Sequence, residues 1–188
     1  MPATKSRPSR STHAHSHSHA HEGHCCDHDH GPMCELAIRR FKKEDYKGLQ
    51  AAWKSGDIGT DDTDSLRAIE KNIKDRANYR LFVAEAQMVD PHSQKKQGES
   101  RIAGGVIVTF DGHRAYVYHL AVHTDFRGVG LGKALLEVCE QQAKLWGARH
   151  LRLSARIDDS RAPARAMYEE CGWQTDKTIW TYRKTLKK

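Results

Sequence analysis

The segment "DFRGVGLGKALLEV", residues 125–138, sets Arg127, Gly128, Val129, Gly130, Leu131, Gly132 and Lys133 just ahead of an amphipathic helical pattern. Glycine allows a ligand to approach the backbone, while the unbonded N–H groups and positive dipole of a helix start favour phosphate oxygens. A pyrophosphate is the expected guest. Two other phosphate-binding patterns are not met. A P-loop needs Gly-x-x-x-x-Gly-Lys-[Ser/Thr], but no glycine lies five residues before Gly132, and Ala134 occupies the hydroxyl position. The dinucleotide pattern Gly-x-Gly-x-x-Gly fails because the glycines are spaced by two throughout. The competing reading is a glycine-rich turn that binds nothing.

A second concentration of chemistry lies near the start of the chain. "HAHSHSHAHEGHCCDHDH" carries His13, His15, His17, His19, His21, His24, Cys25, Cys26, His28 and His30. Imidazole and thiolate are ligands for zinc, nickel and copper, and histidines at every second position can wrap one ion. Metal buffering or regulation is one reading, and a solubilising tail that collects metal is the other. Residues 1–33 hold no large apolar side chain between Met1 and Met33 and cannot build a core, so a disordered His/Cys-rich tail is expected there. An organelle transit peptide would need an amphipathic apolar face, which residues 1–24 lack.

The net charge of +7 falls wholly on residues 35–188, because Lys5, Arg7 and Arg10 offset Glu22, Asp27 and Asp29. The cations are scattered rather than striped, which speaks against nucleic acid or a membrane surface as partner and leaves a phosphate-bearing cofactor sufficient. Five cysteines, an odd set, imply no disulfide framework. The longest apolar run, Ile102 to Phe110, is far below the roughly 20 residues of a membrane span. A soluble, cytoplasmic protein is expected.

Elements that could position the glycine loop follow from periodicity. "ELAIRRF" reads as a strand, Asp45–Lys54 as a helix, and "DDTDSLRAIEKNIKDR" as a second helix with Leu66, Ile69 and Ile73 aligned. "YRLFVAEA" and "RIAGGVIVTF" read as strands joined by a polar loop, Met88–Ser100. After the Asp111-Gly112 turn come a strand "AYVYHLAV", a helix Gly130–Trp146, a strand "RHLRLSARI", a helix Arg161–Cys171 and a closing hairpin between Trp173 and Leu186. This order predicts one mixed α/β domain over residues 35–188.

"LAVHTDFRGVGLGKALLEV" resembles the acetyl-CoA segment of the GCN5-related N-acetyltransferases, with signature [Arg/Gln]-x-x-Gly-x-[Gly/Ala] met by Arg127, Gly130 and Gly132. "RAPARAMYEECGW" is similar to that family's second block through Ala164, Tyr168, Gly172 and Trp173. The likeness spans most of residues 36–186 and is nearest to small bacterial-type enzymes with an Asp-Gly-His-Arg turn, here Asp111–Arg114. It implies a GNAT fold with a mixed central sheet of six to seven strands and about four helices. Thr124, Arg161 and Ser154 depart from the family pattern, standing for a proline, a pantetheine-contacting asparagine and a glutamate base.

The resemblance implies direct attack of a primary amine on the thioester of acetyl-CoA. Ala121 and Val122 would supply backbone groups to the pantetheine and thioester, residues 127–133 would hold the pyrophosphate, and Tyr168 would protonate the leaving thiolate. The same helical face also suits Tyr168 as an ordinary core residue. Glu85, His119 and His123 are the candidate bases, although alternation puts His119 and His123 on one face of a central strand, where a satisfied buried histidine is the competing reading. Asp57, Asp61, Asp62 and Asp64 would either form an acidic lip for cationic acceptors or merely cap the second helix. The acceptor is an amine on a small molecule or a peptide, and a homodimer is expected from the relatives. The competing class is a non-catalytic acyl-CoA-binding or metal-handling protein.

Overall fold

In a computed structural model, the structure describes residues 33–90, 92–93, 95–156, 159–178, 181–182 and 184. Among these, five strands form one mixed sheet in sequence order: β1 (Met33–Arg40), β2 (Tyr79–Val89), β3 (Lys96–Phe110), β4 (Ala115–Val122) and β5 (Leu151–Leu153). The first four are antiparallel, and β5 joins β4 in parallel. Four α-helices accompany them: α1 (Tyr46–Ser55), α2 (Leu66–Asp75), α3 (Leu131–Leu145) and α4 (Ala162–Glu170).

Alternation along the strands divides the core into two layers. Leu81, Val83 and Ile107 meet Leu49 and Trp53 of α1 and Ile69 of α2. Phe82, Ala84, Val106, Val108 and Val117 meet Leu131, Leu135, Leu136 and Cys139 of α3, with Met167 and Tyr168 of α4 packed on the same layer. Period-two strands between period-3.6 helices bury apolar side chains on both faces.

Three expectations need correction. The sheet has five strands among the described residues, not six to seven; residues 173–176 have no regular structure, 177–178 form a turn, and the rest of the expected hairpin lies largely outside the described residues. The polar stretch 88–100 is mostly strand, because an antiparallel ribbon with both faces in water needs no apolar alternation. Its turn is closed by Asp90 Oδ1, which accepts the N–H groups of His92 and Ser93. The second helix is Leu66–Asp75, shorter than the stretch read as helical: Ser65 of the Asp/Thr/Ser cluster caps it, while Asp61 accepts the Thr63 N–H to cap a separate 3-10 turn, Asp62–Asp64. The histidine and cysteine run lies outside the described residues.

Two irregularities in the sheet shape the space beside β4. Between Gly105↔Ala121 and Ile107↔Tyr118 the register slips, so β4 carries one extra residue opposite Val106. His119 sits in this bulge with φ 53°. Parallel pairing of β4 with β5 covers only Ala115–Val117, and beyond Val117 the two strands have no ladder.

Candidate active site

The β4–α3 junction is built as its residue types require. Gly128 and Gly130 both have φ +81°, a left-handed conformation costly for other L-residues. The first intrahelical bond shown runs from Ala134 N–H to the Gly130 carbonyl, so the N–H groups of Leu131, Gly132 and Lys133 precede the α3 ladder. A Cβ on Gly132 would lie 2.8 Å from Met167 Sδ, which shows how closely α4 approaches this loop.

A groove of about 620 Å³ runs along that junction, between the end of β4, α3 and α4. Ala121, Val122, Arg127, Gly128, Gly130, Leu131, Gly132 and Lys133 all line it; Val129, 62% exposed, does not. His123 N–H donates to the Ala103 carbonyl at 2.8 Å, which makes the neighbouring pair Gly104–Val122 a non-hydrogen-bonded one. The Val122 N–H therefore points away from β3, toward the side left open by β5.

The loop's cations are already engaged. Arg127 donates through Nε to the Val122 carbonyl at 3.1 Å and through Nη2 to the Ser55 carbonyl at 2.9 Å. Lys133 Nζ pairs with Glu170 Oε2 at 2.7 Å. At the departure from the family's proline, Thr124 donates its N–H to Ser55 Oγ at 2.9 Å, a bond proline cannot make.

A second cavity, of about 310 Å³, opens where β4 and β5 part, with Tyr116, Tyr118, His119 and Ser154 on its walls. Leu120, Arg161, Ala164 and Tyr168 line both spaces. Tyr168 thus stands where they meet, its ring 6.3 Å from that of Trp173. Burial pushes its phenol above the ordinary tyrosine range, partly opposed by the Arg161 charge.

Of the three candidate bases, only His119 lines this second cavity. Glu85 and His123 line a separate polar cavity with Arg39 and Asp45. Hydrogen bonds from Arg39 and Ser100 pull the Glu85 carboxyl down to about 2, so it is a feeble base at neutral pH.

The acidic stretch does not form a free anionic lip. Asp57 contacts both Arg156 and Arg161 at 3.0 Å, Asp61 caps the 3-10 turn, and Asp64 is buried. Arg161 also donates to the Gly56 and Asp57 carbonyls, both at 2.6 Å, tying α4 to the segment after α1. No sequence signal links Arg161 to partners some hundred residues away. Among the described residues, no group of three or more His, Cys, Asp or Glu could hold a metal ion, and no helix is long and apolar enough to cross a membrane.

A mixed sheet that parts beside a glycine-rich helix start, with two spaces meeting at a tyrosine, defines a class: acyl transferases that bring a thioester and its acceptor together through a gap in the sheet. The model of the Acetyltransferase (GNAT) family matches residues 46–173, and the chain belongs to that family. It is an acetyltransferase. An acetyltransferase of Pectobacterium atrosepticum is 30% identical over 140 residues, covering 74% of this chain and 89% of the relative. One of Yersinia enterocolitica is 29% identical over 144 residues, 77% and 92% of the two chains. Among solved structures, AAC(6')-Iy in complex with the bisubstrate analog CoA-S-monomethyl-acetylneamine superposes with a TM-score of 0.60 over 81% of this chain and 99% of that one, at 16% identity.

Proposed function

We propose that this chain transfers the acetyl group of acetyl-CoA to a primary amine by direct attack, on a small molecule or a peptide. The observation that carries this reading is the meeting of two cavities at Leu120, Arg161, Ala164 and Tyr168, one floored by the glycine loop and the other open to an acceptor. A bisubstrate analog joining CoA to an acetylated amine in a similarly folded enzyme supports it.

Backbone N–H groups of residues 128–133 bind the pyrophosphate, with Arg127 holding the loop against β4 and the end of α1 rather than acting as a free cation. The thioester lies along the open edge of β4, where the Val122 N–H meets the oxygen as negative charge develops. The amine attacks from the second cavity. Tyr168, kept protonated by burial, donates to the sulfur as the C–S bond breaks. A thiol near pKa 8.5 takes that proton uphill from a phenol at or above 10, by about 2 kcal/mol, so the tyrosine is reprotonated between turnovers.

With Asp57 held by Arg156 and Arg161 and Asp64 buried, the acceptor is not selected by a free acidic lip. Metal capture by His13, His15, His17, His19, His21, His24, Cys25, Cys26, His28 and His30 is a separate proposal resting on their spacing.

One assay tests the whole reading: release of CoA thiol over a panel of amines, with and without zinc or nickel, beside calorimetry of CoA binding. Amine-dependent thiol release with CoA bound is expected. Failure to bind CoA or acetyl-CoA overturns it, and binding without turnover on any amine would leave a non-catalytic acyl-CoA-binding protein. Metal-dependent turnover would tie the histidine run to catalysis.

A further inference from the structure

We propose that His119, seated against Asp64, is the base that takes the proton from an aliphatic ammonium acceptor; the proposal rests on the acetyl-transfer reading and deepens it.

His119 is placed by strain rather than by strand alternation. The β4 bulge gives it φ 53°, a conformation that persists in a non-glycine residue where its surroundings hold it. Two contacts do so. Trp53 of α1 lies edge-on to the imidazole, with centroids 5.2 Å apart and planes at 64°. Asp64 Oδ1 lies 3.1 Å from Nε2, off the line of a formed hydrogen bond, and Nε2 has no other partner although it is fully buried. The carboxylate is itself fixed: Oδ2 accepts the Asp61 N–H at 2.9 Å, and the Asp64 carbonyl accepts the Tyr46 hydroxyl at 3.1 Å.

An imidazole pressed on a buried carboxylate through one nitrogen keeps the other for a proton arriving from the cavity. The charged and titratable groups facing it across that cavity are Asp57, Arg156 and Arg161, with Asp57 paired to both arginines. Tyr116 and Tyr118 of β4 and Tyr168 of α4 complete the walls. Asp57 is thus taken up by arginines, and Asp64 is the carboxylate in contact with His119.

The chemistry balances with one proton left over. The ammonium gives a proton to Nδ1, and the freed lone pair forms the C–N bond to the acetyl carbon. The C–S bond breaks, CoA leaves as the thiol after taking a proton through Tyr168, and the amide nitrogen gives up its second proton in exchange. The proton on the imidazole then passes to water. An aliphatic amine near pKa 10.4 is free base in only about one molecule in 10³ at pH 7, against about one in ten for a peptide α-amine near 8. A dedicated base serves the first class far more than the second.

The test uses the full chain, acetyl-CoA, the aliphatic amine that wild type acetylates best, and the variants H119N and D64N. Asparagine tolerates the left-handed conformation but offers no base. H119N is expected to bind acetyl-CoA as wild type does by calorimetry, and to lose on the order of 10²-fold in kcat/KM at pH 7. That loss shrinks toward pH 10, and added imidazole restores part of it. D64N, which removes the carboxylate 3.1 Å from Nε2 that sets the imidazole, is expected to lower kcat about 10-fold with acetyl-CoA affinity unchanged. H119N within twofold of wild type at pH 7 overturns the proposal. If H119N does not fold, a D64N variant with kcat within twofold of wild type overturns it. A wild type that binds acetyl-CoA but acetylates no amine overturns the acetyl-transfer reading, and this proposal with it.

Discussion

At the scale of single residues, Tyr168 and Arg161 both stand at the junction of the two cavities. Burial raises the Tyr168 phenol, so it stays protonated past the ordinary tyrosine range. Tyr168→Phe keeps the ring packing on Trp173 and removes only the hydroxyl. Steady-state kinetics is expected to show kcat lowered on the order of 10²-fold with CoA affinity unchanged; unchanged kcat would return Tyr168 to the core. The glycine loop was legible from residue type and spacing, while Tyr168 was singled out by the family resemblance and stood otherwise as an ordinary core candidate. Arg161 was legible only as a departure from a pattern. Its function as a clamp depends on the Gly56 and Asp57 carbonyls, which become neighbours only on folding.

At the scale of elements, the junction works through backbone shape. A methyl group on Gly130, at φ +81° with open space around the position, meets no neighbour, so the cost of Gly130→Ala is conformational. Stability is expected to fall by about 1 kcal/mol, seen as a lower Tm. The helix start then presents its N–H groups at altered angles, and calorimetry is expected to show CoA binding weakened by more than the stability loss explains. The β4 bulge is the counterpart that periodicity misreads. Strict alternation places His119 and His123 on one face of β4; the extra residue separates them, His119 to the acceptor cavity and His123 to a different polar cavity.

At the scale of the molecule, stability depends on pH at both ends. Cys139, fully buried on the inner face of α3, and Tyr79 have their pKa values pushed up to about 12, chiefly by burial. Their folded values exceed the unfolded ones, about 8.5 and 10, so their contribution is complete below those values and is lost as pH rises toward 12. Glu85 behaves oppositely. Held down to about 2 by Arg39 and Ser100, it contributes above the unfolded value near 4.3 and loses that contribution as pH falls toward 2. Urea midpoints across pH are expected to show both declines. Cys139→Ala should delay the alkaline onset to the tyrosine range, and Glu85→Gln should flatten the acidic slope.

The sequence by itself determined the α/β alternation, the glycine-rich helix start and the second block around Tyr168, because each is written in contiguous residues whose period or spacing is the physical requirement. It also determined that four close aspartates stood ready to cap or to attract cations. Only the tertiary structure decided between those uses, by bringing Arg156 and Arg161 onto Asp57 and His119 onto Asp64. The parting of β4 from β5 and the bulge beside it were decided there too. A ladder's end and a register slip are properties of two strands together, and neither strand carries them alone.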